Sequence, residues 1–527
     1  MKDLMNKVVS KRFFLLNAAF VTIVAGMLTS TTITTIGDIM LLLSWVLFGV
    51  AKTGNLRGIS LSVRDFFRKK EYLYFTFFYI LSVVGLLYSS NTEQGIRELT
   101  VKMPLLLFPV IFAGLPAIEK RTLKLVIIVH CMVLLAATVI IVINFAGGSD
   151  NFRKYYPFIS HIRLSLNYCL SILMLLYILV QKRHVLSIKT KMAIIVVMSI
   201  FIMSLMILKS ITGIGTLVFA AVILMVTDKN LANGGRKMQV AMKTLAAMIF
   251  LVSVGYLVYS YNRYYRMDVD IANLPATTVN GNAYVNDVAG SLLEEGNYDK
   301  CLLCEDELSS QWNKVSAVKY DMPASNPDST MIRDVLIRYM TSLGLAKDSV
   351  GITKLTIKQI DEIERGIPNA YYSKFGLYPR ISSTFITFER LKKTGDPSGG
   401  SVVQRIASWI TSLHLIGKKP LFGYGTGEVV DVHRRGYATY YPKLQEEFKI
   451  PPHNQYLFNT LQSGIVGLLI FLFSIVAPGI ITGKFGDYFF KLIFIVAAIS
   501  MFFEDTIGSQ IGITFVCFFY FLFMKRR

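Results

Sequence analysis

Of all the side chains in this 527-residue chain, His453 is the best placed to do chemistry. It stands in P-P-H-N-Q-Y-L, directly ahead of the apolar run L-F-N-T-L-Q-S-G-I-V-G-L-L-I-F-L-F. An imidazole at such a junction sits between water and lipid, where an enzyme acting on a lipid-linked polar substrate needs a titratable group. An unperturbed histidine titrates near ~6.5, so it can serve as a base at neutral pH or orient a partner. Arg405 and Arg163 form a second set. A guanidinium stays charged and grips anionic oxygens in bidentate fashion. His161 lies two residues before Arg163 and can share its substrate. Plainer readings stand beside these: a helix-start histidine, an exposed charge on an amphipathic helix for Arg405, and a snorkelling side chain for Arg163.

The glycines of P-L-F-G-Y-G-T-G, residues 420–427, invite a phosphate-cradle reading. That reading fails, because no strand-turn-helix context precedes them and no Lys–Ser/Thr follows. They fit a tight turn between an amphipathic helix at 402–416 and the chain leading to His453. His414 and His433 have no recognised ligand spacing to His453, and no metal site is expected.

The elements that must position these groups are membrane spans. The chain is 53% hydrophobic and 17% charged. Many of its apolar runs are long enough, or nearly so, to cross a bilayer of about 30 Å. Twelve spans are expected, near 13–29, 32–51, 72–89, 101–117, 123–145, 162–181, 191–208, 211–227, 242–260, 454–482, 487–503 and 508–524. The fourth is short and carries Pro104 and Pro109. With the N-terminus inside, the inner loops 52–71, 118–122, 182–190, 228–241 and 483–486 and the C-terminal Lys525, Arg526 and Arg527 are all basic. The short outer loops hold Lys209 against Glu504 and Asp505, and the loop at 146–161 is mixed, with Asp150, Arg153 and Lys154. This is the positive-inside pattern. It accounts for the net charge of +21 without nucleic acid, since the Lys and Arg are spread over many short loops.

That topology divides the chain into spans 1–9 (residues 1–260), a large outer loop (261–453) and spans 10–12 (454–527). The loop is polar and mostly helical by periodicity, with helices expected over 331–343 and 355–365 and a flexible break at 395–401. Cys301 and Cys304, in C-L-L-C, read as a local disulfide or two inert thiols, because a zinc site wants more ligands than are nearby. The N-terminal stretch reads as a retained first helix, not a cleaved signal. Asp38, Arg163, Lys209, Glu504 and Asp505 fall at the outer ends of spans. A coupled transporter more often carries such groups near the midplane, so this distribution favours a site open to the outer face over a transporter or flippase.

The chain resembles the O-antigen ligase and O-antigen polymerase superfamily of bacterial envelope glycosyltransferases. The resemblance is carried by Arg405 followed by Trp409, by P-L-F-G-Y-G-T-G, by H-N-Q-Y-L (453–457) leading into G-I-V-G-L-L-I-F-L (464–472), and by S-H-I-R-L-S-L-N-Y (160–168). Residues 265–395 match nothing in that pattern. The resemblance implies an all-α polytopic fold in the bacterial inner membrane, with both termini cytoplasmic and the large loop periplasmic. It implies metal-independent, inverting transfer of a glycan from undecaprenyl pyrophosphate to a sugar hydroxyl. That hydroxyl lies on lipid A–core for a ligase and on another lipid-linked unit for a polymerase; transfer to a protein Ser or Thr is a variant. His453 is then the base or the acceptor-orienting group. Arg405 and Arg163 hold the pyrophosphate in place of a cation, and His161, Lys209 and Asn454 contact pyrophosphate or acceptor. No cofactor is implied; the partners are the lipid-linked donor, the acceptor and membrane lipids.

Overall fold

The computed structural model describes residues 2–526 apart from 54, 56, 148–154, 229–234, 268–269, 326–329 and 375. Asp150, Arg153, Lys154 and Arg527, named in the charge pattern above, lie outside the described residues, as do residues 229–234 of the inner loop 228–241. The chain is predominantly helical. Among the described residues the only paired strands are Leu293–Glu294 and Asn297–Tyr298, an antiparallel ribbon in the polar segment. Among the described residues, six helices are long and apolar enough to cross a membrane: Thr31–Ala51, Lys120–Ala146, His161–Gln181, Ile188–Ile207, Gln239–Tyr265 and Gln455–Ile481. Four shorter apolar helices, Phe13–Thr29, Ile211–Thr227, Tyr488–Phe503 and Gln510–Met524, accompany them. The two remaining expected spans take other forms. The third is divided at Thr76 into Lys70–Phe75 and Phe77–Leu86, and the Thr76 hydroxyl donates to the Leu73 carbonyl at the joint. The fourth is an 11-residue helix, Pro104–Gly114, which starts on one proline and contains another. A proline at the first position costs no hydrogen bond, whereas one inside the helix removes one.

The chain forms two compact units. The first comprises Met1–Phe250, Ser408–Pro442 and Lys449–Arg527. Its post is the helix Gln510–Met524, in which every residue from Ile511 to Met524 is buried. The sequence F-V-C-F-F-Y-F-L-F is apolar on all sides, so the helix has no face to offer water. Phe518 meets Phe20 edge-on at 5.3 Å, and Phe521 meets Phe75 at 4.7 Å. Such edge-to-face contacts contribute beyond the area they bury.

The second unit comprises Leu251–Ala407 and Lys443–Phe448. Its core gathers Trp312, Ile332, Leu336, Tyr339 and Ile363. The two helices expected here are Ile332–Ser342 and Ile357–Glu364, the latter opened by a reciprocal cap between Thr356 and Gln359. A buried Glu294 accepts from Arg338 at 2.9 Å and from Asn369 at 2.8 Å. Gly395, at φ +70°, closes the helix Tyr378–Thr394 where the break was expected. Cys301 and Cys304 are free, buried thiols, which corrects the disulfide alternative in favour of two packed thiols.

Candidate functional site at the mouth of a broken helix

The apolar run after His453 folds into the helix Gln455–Ile481. Asn454 caps it: its side-chain oxygen accepts from the backbone N–H groups of Tyr456 and Leu457 at 3.0 and 3.1 Å. That oxygen is therefore committed to the first turn, as the N-terminus of a helix demands. Gln455 is fully buried and braces sideways. Its Oε1 accepts from the backbone of Ile507 at 3.0 Å, and its Nε2 donates to Asn459 at 2.8 Å. Ile507 belongs to the tight turn that carries Glu504 and Asp505. The triplet His-Asn-Gln thus divides its labour: one side chain is presented, one caps and one braces.

Two turns in, the helix breaks at Ser463 and Gly464, with Gly464 at φ +66°. The freed backbone groups are met by the glycine-rich segment. Tyr424 and Gly425 donate to the carbonyls of Leu461 and Gln462 at 2.8 and 2.9 Å, and Ile465 donates to the Pro420 carbonyl at 2.8 Å. A β-carbon on Gly464 would lie 2.0 Å from the Leu421 carbonyl oxygen, so only glycine fits. The glycines form turns directly after the helix Ser401–Lys418, as expected, with Gly423, Gly425 and Gly427 all at positive φ. The segment also plugs the broken helix before it passes on to the helix Val429–Tyr440. A break in a membrane-length helix is tolerated where such neighbours satisfy it.

Below the plug lies a polar knot that sequence reading missed. Lys102 is buried and donates to the side-chain oxygen of Gln462 at 2.6 Å, with Glu98 at 3.3 Å. Gln462 in turn donates to Ser82 and Thr426 at 3.1 and 3.2 Å. A lone lysine in a run read as a span gives little signal of this in the sequence.

His453 faces the acidic turn. Its Nδ1 lies 3.2 Å from Glu504 and 3.7 Å from Asp505. Burial alone would push the imidazole down, but Asp505 and Glu504 outweigh it and carry the group up to about 9. The two carboxylates therefore favour the protonated imidazole over the unperturbed one from which the sequence reading started. Glu504 and Asp505 had stood out only as outer-end charges. The adjacent acidic pair in a short loop between apolar helices was the available signal for them as site residues.

Both carboxylates line a narrow cleft with Ser160, Arg163, Asn167 and Thr506. Its free volume is about 30 Å³, room for a water rather than a sugar ring. Arg163 comes from the first turn of the helix His161–Gln181, where the Ser160 side chain accepts from its backbone N–H. The structure therefore brings His453 and Arg163 to one acidic turn. His161 opens the same helix and is partly exposed. Lys209 sits in the turn between Ile188–Ile207 and Ile211–Thr227, at φ +46°, and is not among the residues lining the cleft. Arg405 belongs to the second unit, one helical turn before Trp409 on the helix Ser401–Lys418. In the first unit Trp409 packs edge-on against Phe502 at 5.3 Å.

The nitrogen of His453 and one oxygen each of Glu504 and Asp505 lie within 4.8 Å of one another, a donor set able to hold a divalent cation. The expectation of no metal thus meets a cluster whose chemistry would accept one.

A helical, polytopic membrane protein with a histidine–carboxylate cluster at the mouth of a broken helix is the class that fold and site define. The family model described as O-antigen ligase matches residues 198–472, more than half of the chain, and the chain belongs to that family. The matched span holds Lys209, Arg405, His453 and Asn454, and it leaves out His161, Arg163, Glu504 and Asp505. No curated protein matches the chain.

Proposed function

We propose that this chain is a ligase-type glycosyltransferase. It moves a glycan from undecaprenyl pyrophosphate to a sugar hydroxyl of lipid A–core, with inversion, on the periplasmic face of the inner membrane. The observation that carries the reading is His453 held between Glu504 and Asp505 on a turn shared with Arg163.

In this reading the acceptor oxygen attacks the anomeric carbon as the bond from that carbon to the pyrophosphate oxygen breaks. The hydroxyl proton passes to a carboxylate of Glu504 or Asp505. The imidazolium of His453 and the guanidinium of Arg163 offset the charge that grows on the departing pyrophosphate, and Arg405 is the further cation that the family resemblance implies. His453 then works as a charged donor, and the base is a carboxylate. Asn454 acts through the helix it caps, while His161 and Lys209 serve as outer contacts to the substrate.

The test is carried out in cells that make lipid-linked polysaccharide. His453→Ala, Arg163→Ala and Arg405→Ala should each abolish attachment to lipid A and leave long lipid-linked polymer behind. A single repeat unit left on the core would instead make the chain a polymerase. Full attachment by the His453 variant would overturn the catalytic assignment.

A further inference from the structure

A groove outside the acidic turn has no part in that mechanism. It lies in the first unit, holds about 500 Å³ and is lined by Tyr88, Lys418, Lys419, Tyr424, Glu428 and Arg435, among others. Three cations line it: Lys418, Lys419 and Arg435, all exposed. Among the described residues, the one carboxylate that lines it is spoken for. Glu428 is buried and accepts from the backbone N–H groups of Ser90 and Asn91 at 2.6 and 2.9 Å and from the Ser90 hydroxyl. The nearby Asp431 accepts from Asn91 at 2.8 Å.

The aromatic walls are fixed as well. The Tyr88 hydroxyl donates to the Phe422 carbonyl at 3.0 Å, and that of Tyr424 to the Leu415 carbonyl at 2.9 Å. Pinned rings keep their faces at a constant angle to the groove. Lys419 lies 4.9 Å from the Tyr424 ring centre, which holds its charge at the wall. A free groove with surplus positive charge and immobile phenol rings suits a ligand that has both flat apolar faces and anions. A saccharide bearing carboxylate or phosphate groups has both.

We propose that this groove is a binding subsite for an anionic saccharide, separate from the acidic turn at His453. The proposal rests on the reading of the chain as a glycan transferase. It extends that reading by naming a substrate feature, an acidic sugar at some distance from the reacting bond. Phosphate oxygens of a lipid headgroup share part of this chemistry, so the experiment has an arm for each source.

The full-length protein is purified in detergent, and binding is measured without turnover. The probes are a hexamer of galacturonic acid and its fully methyl-esterified, neutral counterpart. The expected result is binding of the acid form, weakened at least about tenfold by K418Q/K419Q/R435Q, as for the loss of charge-assisted contacts, and weakened also by added salt. Tyr88→Ala should weaken both forms, because it removes a ring and no charge. Equal binding of the two hexamers, or of the acid by wild type and the triple variant, would overturn the proposal. So would a triple variant that loses only its preference for nanodiscs of phosphatidylglycerol over phosphatidylcholine, which makes the groove a headgroup contact. His453→Ala should bind the acid hexamer as wild type does, so failure of the catalytic reading and failure of this one give different results.

Discussion

Gln455 accepts the backbone N–H of Ile507 through its side-chain oxygen at 3.0 Å, deep in the first unit. This bond ties the helix that begins after His453 to the turn that carries Glu504 and Asp505. The distance from imidazole to carboxylate is therefore set by a neighbour of the histidine and not by the histidine alone. Gln455→Leu keeps the bulk and removes the acceptor. A buried N–H left without a partner costs ~1–3 kcal/mol. The variant should fold with a lowered melting temperature and lose glycan attachment, while Gln455→Glu should restore part of both. A Gln455→Leu protein with wild-type melting and full attachment would show that the brace is dispensable.

The histidines set opposite pH limits on stability. His453 has a folded-state value of about 9, above the ordinary 6.5 of the unfolded chain. Its protonation therefore stabilises the fold fully below about 6.5, and that contribution is lost as pH rises through about 9. His433 behaves in the reverse sense. It is buried, its Nε2 lies 3.1 Å from the Ser408 carbonyl, and burial pushes it down to about 4. Its contribution is present above 6.5 and is lost as pH falls through about 4. Thermal melting in detergent should be highest near pH 6.5 and fall on both sides. His453→Gln should flatten the alkaline limb alone, and His433→Gln the acid limb alone. An unchanged alkaline limb in His453→Gln would mean that the acidic turn does not hold the imidazole.

Much of the helical frame was legible because apolar runs of membrane length have few alternatives to helix. The polar lobe was legible in part: the 3.6-residue period marked Ile332–Ser342 and Ile357–Glu364. What stayed hidden depends on tertiary neighbours. The division at Thr76 follows from no strong breaker in F-T-F-F, only from a hydroxyl that takes a backbone carbonyl. The partnership of Lys102 with Gln462 joins residues 360 positions apart, and no local pattern encodes it. His453 itself was visible from its place in the sequence, but its charge state was not. That depends on Glu504 and Asp505, which are distant in the chain and close in the fold.

The plugged break makes Gly464 a sharp test of the helix mouth. Any side chain there meets the Leu421 carbonyl and must hold a left-handed backbone. The backbone term alone costs about 1–2 kcal/mol, before any collision. Gly464→Ala should therefore lower the yield of folded protein and its melting temperature. Gly215→Ala, on the apolar helix Ile211–Thr227 where a β-carbon meets nothing within 4 Å, should leave both unchanged. Equal behaviour of the two variants would mean that the segment 420–427 does not occupy the break.

The donor set of His453, Glu504 and Asp505 leaves one chemical choice that a chelator can make. If Arg163 offsets the pyrophosphate charge, no divalent cation is required at the acidic turn, and the carboxylates remain available to a proton. Transfer by the purified protein should then persist in excess EDTA and show no gain with Mg²⁺, Mn²⁺ or Ca²⁺. Under the same conditions Arg163→Lys should fall well below wild type, because an ammonium cannot reproduce the two-pronged contact of a guanidinium. If EDTA abolished transfer and a cation restored it, while Glu504→Gln abolished the restoration, the cluster would be a metal centre. His453 would then be a ligand and not an imidazolium, since a proton and a cation compete for the same nitrogen.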